Sequence, residues 1–407
     1  MSTEEVAPAE ARWLNRGVVG IGGASLLGDL GYEVPTALLP SFLTSTLGAP
    51  AAALGLIEGI ADGLGGAARL AGGALADDPR SRRATAIGGY TATAVLSALI
   101  GAAGAAWQVG VLRSGAWISR GLRGPARNAL LAEMVPPAAY GRAYGFERAL
   151  DNLGAIGGPL LALALVAAFD VRVAILVSVV PGLFATFSML AAIRAAPHTE
   201  PRPRAPLRLK VRPVLRGRLR RVLVGISAFE LGNAAATLLI LRATDLLEPR
   251  HGHHVAVELA LVLYTAFNVG ASTASVPGGH AVDRRGALAV FGAGALLFLG
   301  ADAGFAFTGA SLAGLAVLFV LAGVAKAFAE TAENAVVAAY APEEIRGSAF
   351  GILAGIQSFG NLAASAVAGA LWTLVAPEAA FLYLAAWMLL ALAALAWNRA
   401  DATRAPG

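Results

Sequence analysis

Residues 73–83 read Gly73-Ala74-Leu75-Ala76-Asp77-Asp78-Pro79-Arg80-Ser81-Arg82-Arg83, and residues 279–286 read Gly279-His280-Ala281-Val282-Asp283-Arg284-Arg285-Gly286. Each is a short charged turn between two long apolar runs, and Gly73 and Asp77 fall on Gly279 and Asp283 at an offset of 206. The same offset carries Asn128 onto Asn334, Pro136 onto Pro342, and Gly141, Gly145 and Gly154 onto Gly347, Gly351 and Gly360. With 49 glycines in 407 residues, a glycine falling on a glycine means little. Asp on Asp, Asn on Asn and Pro on Pro in one ungapped frame mark a duplication. Two parallel copies of one helical unit form a transporter layout, with the binding site at the interface of the repeats.

Composition gives the solvent. The chain is 57% hydrophobic and 14% charged, where a soluble domain carries about 25% charged residues. That excludes an ordinary water-soluble enzyme and also a disordered chain, which needs the opposite balance. A bilayer core of about 30 Å takes about 20 apolar helical residues. Twelve such runs are present, at 17–43, 50–75, 84–107, 109–133, 142–167, 171–194, 222–246, 255–281, 287–308, 310–339, 347–373 and 377–398. The expected fold is therefore an all-α membrane protein, twelve transmembrane helices in two pseudo-symmetric six-helix bundles. The expected divisions are 1–194, a basic linker at 195–221, and 222–407.

Charge sets the orientation. Twenty-one of the 31 Lys and Arg residues fall on one side of this topology, ten of them between Arg194 and Arg221, while the opposite loops hold only Arg172 and Arg250. The positive-inside rule then predicts both termini in the cytoplasm of a multi-pass protein in the inner membrane of a prokaryote. The formal net charge of +5 is explained by topology, and no nucleic-acid footprint of clustered basic and aromatic residues accompanies it. The absence of cysteine excludes disulfides and thiolate chemistry.

On these residues the chain resembles the major facilitator superfamily over its whole length. The turn at 73–83 is similar to the family's G-x-L-a-D-r-x-G-r-r signature, departing at Pro79 and Arg80, and the copy at 279–286 keeps Asp, Arg and Gly. The resemblance implies gating roles for Gly73, Asp77, Arg82, Gly279, Asp283 and Arg284. Glycines let two helix ends approach closely, and an aspartate there can accept from a neighbouring helix N-terminus. Gly154-Ala155-Ile156-Gly157-Gly158-Pro159 matches the core of a G-x-x-x-G-P motif that resembles the one of drug–proton antiporters. Gly154 and Gly158 favour close packing, and Pro159 would kink the fifth span for gating. Arg113 is similar in position to the superfamily's motif-B arginine. The resemblance also implies that spans one, four, seven and ten line the central cavity.

Ionisable groups at membrane depth are costly and mark pathways, relays or paired structural sites. Arg113, Arg120, Arg123 and Arg127 of the fourth span lie within an arc of about 80° over about 21 Å of helix axis. Acids stand one turn apart, on one helix face, as Asp29 and Glu33, Glu58 and Asp62, and Glu147 and Asp151. Lys326, Glu330 and Glu333 form a second stripe in the tenth span, and Glu230 and Asn233 lie in the seventh.

Three uses of these charges stay open. Arg120, Arg123 and Arg127 can be neutralised by Glu58, Asp62, Glu147 and Asp151 as an internal network. Asp29 or Glu33, with Glu58 and Asp62, can carry a proton. One or two arginines, with Asp151, Asn233, Lys326 and Glu330, can clamp a substrate carboxylate or phosphate. The expected function is secondary active transport by alternating access, as proton-coupled export of a small organic or amphiphilic compound. The alternative is uptake or exchange of an anionic metabolite. Expected partners are a small-molecule substrate, protons and membrane lipid, for a monomer with no cofactor and no enzymatic activity. The histidines of Arg250 to His254 lack supporting acids or thiols, so no metal site is expected there, and no nucleophile constellation appears.

Overall fold

Residues 13–196 and 208–404 are described by a computed structural model; Arg12 and the middle of the basic linker lie outside them. The described residues are helical, with no strand among them. The first half contains α1 (Arg16–Ser41), α2 (Ala51–Ala76), α3 (Pro79–Leu99), α4 (Ala106–Glu133), α5 (Tyr140–Ala168), α6 (Val171–Val177) and α7 (Val179–Ala195). After the short α8 (Val211–Val214) come α9 (Gly217–Gly232), α10 (Thr237–His251), α11 (His253–Arg285), α12 (Ala287–Phe307), α13 (Leu312–Tyr340), α14 (Arg346–Leu374) and α15 (Pro377–Arg404). Helices α6 and α7 together make the sixth span and α9 and α10 the seventh, so the twelve runs of the sequence are the twelve spans.

Local chemistry sets the helix starts. Asn15 accepts from the Val18 N–H at 3.0 Å, and its Nδ2 donates to the Met134 carbonyl at 2.7 Å. Asp78 caps α3 by accepting from the Ser81 N–H at 2.9 Å, with Pro79 in the first turn, where its missing N–H costs nothing. This explains the departure of the first charged turn from its signature. The second copy turns on Gly286 at φ 86°, in the left-handed region that glycine enters freely, whereas the first starts its helix from an Asp-Pro cap. By length and composition, nine helical stretches among the described residues are apolar enough to cross a membrane. The other three spans are α1, α2 and α4, where the intramembrane charges of the first half concentrate.

In the first half α2 packs on α4, α1 on α5 and α7, and α3 on α4. In the second α13 packs on α11 and α12, and α15 on α9 and α12. The halves meet chiefly through α5 with α11 and α2 with α14. These are repeat-equivalent pairs, so the contact obeys the same two-fold symmetry as the sequence. Helix α5 runs unbroken through Pro159, whose side is exposed. The proline therefore faces away from the bundle interior.

Candidate functional site

The two halves are closed at the end that carries the basic turns. A Cβ on Gly73 would lie 2.7 Å from the Gly351 Cα, and one on Gly145 would lie 3.0 Å from the Gly279 Cα. Backbone this close requires glycine on both helices. Asp77 accepts from the Ser348 N–H at 2.9 Å and the Ser348 hydroxyl at 2.5 Å, with the Lys210 Nζ 3.6 Å away. Asp283 accepts from the Gly141 N–H at 2.7 Å, the Arg142 N–H at 3.2 Å and the Arg142 Nε at 2.7 Å. Each repeat's aspartate thus caps the first turn of a helix in the opposite half, α14 or α5, where a carboxylate is favoured by free N–H groups and the helix dipole. Arg82 is buried; it pairs with Glu133, and its Nε donates to the Ala76 carbonyl at 2.5 Å. Arg284 is exposed at the surface.

The opposite end is open. Added Cβ atoms at Gly55, Gly59 and Gly63 of α2 would meet nothing within 4 Å, whereas Gly72 and Gly73 of the same helix are crowded by backbone. Glu58, in the first third of α2, and Lys326 and Glu330, near the middle of α13, keep 30%, 32% and 27% of their side-chain surface accessible. The interior is thus reached from the side opposite the basic turns.

The α4 arginines divide by partner. Arg113 reaches Glu58 at 2.9 Å and the Thr36 hydroxyl at 2.9 Å, and lies over the Trp117 ring at 3.5 Å. Arg127 pairs with Glu147 at 2.8 Å and Asp151 at 3.2 Å and donates to Ser25 at 2.9 Å. Arg123, buried, lies 3.9 Å from both Asp29 and the Tyr90 ring centroid. Arg120 makes no ion pair within 4.0 Å among the described residues; its Nη2 donates to the Tyr32 hydroxyl at 2.5 Å and its guanidinium lies 4.5 Å from that ring. The expected neutralisation of Arg120 by an acid is therefore not observed. Asp62 instead accepts from the Trp117 indole at 2.6 Å, and Asp29 takes Arg123. The reason is helix rotation: α1 presents Tyr32 to Arg120 and Asp29 to Arg123.

Gly154 and Gly158 hold the α1 acids in place. A Cβ on Gly154 would lie 2.8 Å from the Asp29 Cβ, and one on Gly158 would overlap Glu33. The small-residue motif of α5 is thus the surface on which the acidic turn of α1 packs.

In the second half, Lys326 and Glu330 stand 3.9 Å apart, with Lys326 5.7 Å from the Phe267 ring. Asn233 ends α9 and donates to Glu230 at 3.0 Å. The seventh span breaks there, and α14 satisfies the freed backbone. Asn361 donates to the Asn233 carbonyl at 2.7 Å, and the Ala235 N–H donates to the Ser365 hydroxyl at 2.9 Å. A break at membrane depth needs such partners.

Sequence reasoning left out Arg148, which pairs with Glu147 at 2.7 Å and Asp151 at 3.2 Å and reaches Glu330 across the halves at 3.9 Å. It also left out Arg69 of α2, Gln357 of α14 and the aromatic rings of Tyr32 and Trp117. Arg69 and Arg148 do carry a signal in the sequence, as basic residues inside the second and fifth apolar runs. The rings and Gln357 carry no such signal, because aromatic and amide side chains at membrane depth are unremarkable until a partner is seen.

Two symmetry-related six-helix bundles, joined at one end and open at the other around a charged interior, define a multi-pass membrane transporter. The chain belongs to the major facilitator superfamily: the family model, Major Facilitator Superfamily, matches residues 21–242 and 246–406. It is 27% identical over 374 residues, 91% of this chain and 92% of the relative, to an uncharacterised MFS-type transporter of Methanocaldococcus jannaschii. A human organic anion transporter matches with a TM-score of 0.74 at 19% identity, over 93% of this chain and 99% of that one. A bacterial homologue of the iron transporter ferroportin in an outward-facing state matches with a TM-score of 0.74 at 16% identity, over 95% and 100%. The fucose:proton symporter of E. coli has the same score at 16% identity, over 94% and 98%. Identities this low show a shared fold. The relatives are transporters, and the chain is a transporter rather than an enzyme.

Proposed function

We propose that the chain is a proton-coupled exporter of a small organic or amphiphilic compound from the cytoplasm of a prokaryote, working as a monomer in the inner membrane. Its halves, 1–194 and 222–407, rock about the interior while the basic segment 195–221 tethers them. Both termini and the closed end face the cytoplasm. The observation that carries the reading is the acidic turn of α1. Asp29 is buried with its nearest cation 3.9 Å away, and Glu33, one turn on, makes no ion pair within 4.0 Å among the described residues. A carboxylate so weakly compensated at membrane depth is stabilised by a proton. Arg123 and Arg120 on the facing helix are positioned to receive either acid when the proton leaves. Tyr32 and Trp117 beside Arg120 supply an apolar and cation-tolerant wall for an amphiphilic solute.

The test is efflux of fluorescent amphiphilic dyes from proteoliposomes under an imposed pH gradient, comparing the wild type with Asp29→Asn and Glu33→Gln together. Flux that follows the gradient in the wild type and ignores it in the double variant supports the reading. Unchanged flux in the double variant overturns proton coupling through α1.

A second reading has its own observation. Arg120 is half-buried and free of any carboxylate within 4.0 Å among the described residues, as a clamp for an anionic metabolite would be. Loss of binding of anionic compounds on Arg120→Gln, with folding intact, would favour uptake or exchange of an anion.

A further inference from the structure

The seventh and tenth spans bring two acids together away from α1 and α4. Glu230 in the last turn of α9 is 3% exposed and Glu333 of α13 is fully buried. Both meet the same turn of α14: Gln357 reaches Glu333, and three residues on, Gly360 packs against Glu230. Neither makes an ion pair within 4.0 Å among the described residues. Instead, each has one oxygen tied by an amide. Asn233 Nδ2 donates to Glu230 Oε2 at 3.0 Å, and Gln357 Nε2 donates to Glu333 Oε2 at 2.7 Å. The other oxygen of Glu333, Oε1, is buried without a hydrogen-bond partner.

We propose that Glu230 and Glu333 are a proton-binding site of the C-terminal half, one carboxylic acid donating its O–H to the other group's carboxylate. Two bare carboxylates in contact would repel in a low-dielectric interior, whereas one shared proton leaves a single negative charge and gives the acceptor a donor. The amides fix which oxygens face each other. Around the pair, Glu330 lies one turn back on α13, itself engaged by Lys326 and Arg148 at 3.9 Å each. From the opposite half, Arg69 is the cation of α2 that lies against α14, its carbonyl 3.0 Å from a Cβ added at Gly351. From α14, Gly360 packs against Glu230, where an added Cβ would lie 2.6 Å from the Glu230 Cβ.

The pair sits at the break of the seventh span, inside the C-terminal half. Loss of its proton adds one negative charge that repels α9 from α13 and attracts Arg69, so protonation biases the fit of the two bundles. That use rests on the proton-coupled reading above; the shared proton itself does not.

The experiment is infrared difference spectroscopy of the purified full chain in sodium-free choline chloride buffer, following the protonated-carboxyl stretch and its shift in D2O. Asp302→Asn first removes the contribution of Asp302, a buried acid with one unpartnered oxygen. The expected result at neutral pH is loss of a D2O-sensitive carboxyl band in Glu230→Gln and in Glu333→Gln, each alone, with the band kept in Asp29→Asn/Glu33→Gln. Either variant serves if the other fails to fold, and the wild-type band titrated with pH is an independent reading. A band unchanged in both Gln variants overturns the proposal. So does a wild-type band abolished by sodium chloride at constant pH, which would make the pair a sodium site. A band lost as expected, in a protein whose dye flux ignores a pH gradient, supports the shared proton and overturns the coupled-transport reading alone.

Discussion

Asn128 and Asn334, 206 positions apart and equivalent in the two repeats, meet side chain to side chain: Asn128 Nδ2 donates to Asn334 Oδ1 at 2.9 Å. Equivalent residues can touch only where the axis relating the repeats passes between them, so this bond marks the pseudo-two-fold axis. Both ends are anchored. The Asn128 carbonyl accepts from the Tyr144 hydroxyl at 2.7 Å, and Asn334 Nδ2 donates to the Glu330 carbonyl at 2.8 Å. The charges of the interior and the glycine crossings of the closed end are arranged around it.

Asn128→Ala leaves the Asn334 Oδ1 without its donor and should cost about 1–2 kcal/mol of stability in the form seen here. Thermal melting of the single and double alanine variants checks this. The double variant should lose less than the sum of the singles, because both remove the same bond.

Gly351→Ala puts a Cβ 2.6 Å from the Gly73 Cα and 3.0 Å from the Arg69 carbonyl. Backbone on both sides cannot yield as a flexible side chain would, so α2 and α14 must separate. Spin labels placed on the basic turns of the two halves should report a longer distance in this variant, without background labelling since the chain has no cysteine.

Asp77→Asn and Asp283→Asn each weaken a cap that joins one half to the first turn of a helix in the other. Each should lower the stability of the closed end by about 1 kcal/mol. Maleimide labelling of a cysteine at Ser348 should speed up in Asp283→Asn, where Asp77 is untouched.

Arg127 and Arg120 should behave oppositely although two turns apart on one helix face. Arg127→Leu strips a cation from Glu147 and Asp151 in the interior and should destabilise by about 3 kcal/mol. Arg120→Gln removes no ion pair and should melt close to the wild type while changing ligand binding. A melting scan with and without bound dye separates them.

The 206-residue frame made the repeat, the close approach at Gly73 and Gly279 and the capping by Asp77 and Asp283 legible before any coordinates, because close backbone approach and capping demand particular residue types. Partner choice among the charges was not legible. Stripe geometry places Arg113, Arg120, Arg123 and Arg127 on one face, but the rotation of α1 decides that Tyr32, not an acid, meets Arg120. The break in the seventh span was equally hidden, since its stabilising groups, Asn361 and Ser365, lie far along the chain on α14. Pro159 lies on an exposed face of an unbroken α5, a placement that spacing along the chain does not give. Glu230 and Glu333 were visible as acids of two different spans, and only folding brings both against one turn of α14.

The account stands on the rocking of the two halves, and a cross-link between α5 and α11 tests it most directly. Ser272 donates to the Ala149 carbonyl at 3.0 Å between the two halves, so cysteines at these two positions can be joined by oxidation or by a short bismaleimide. The account predicts that dye flux in proteoliposomes stops on joining and that reduction of the oxidised pair restores it. Flux that continues at the wild-type rate with the halves covalently joined would contradict it.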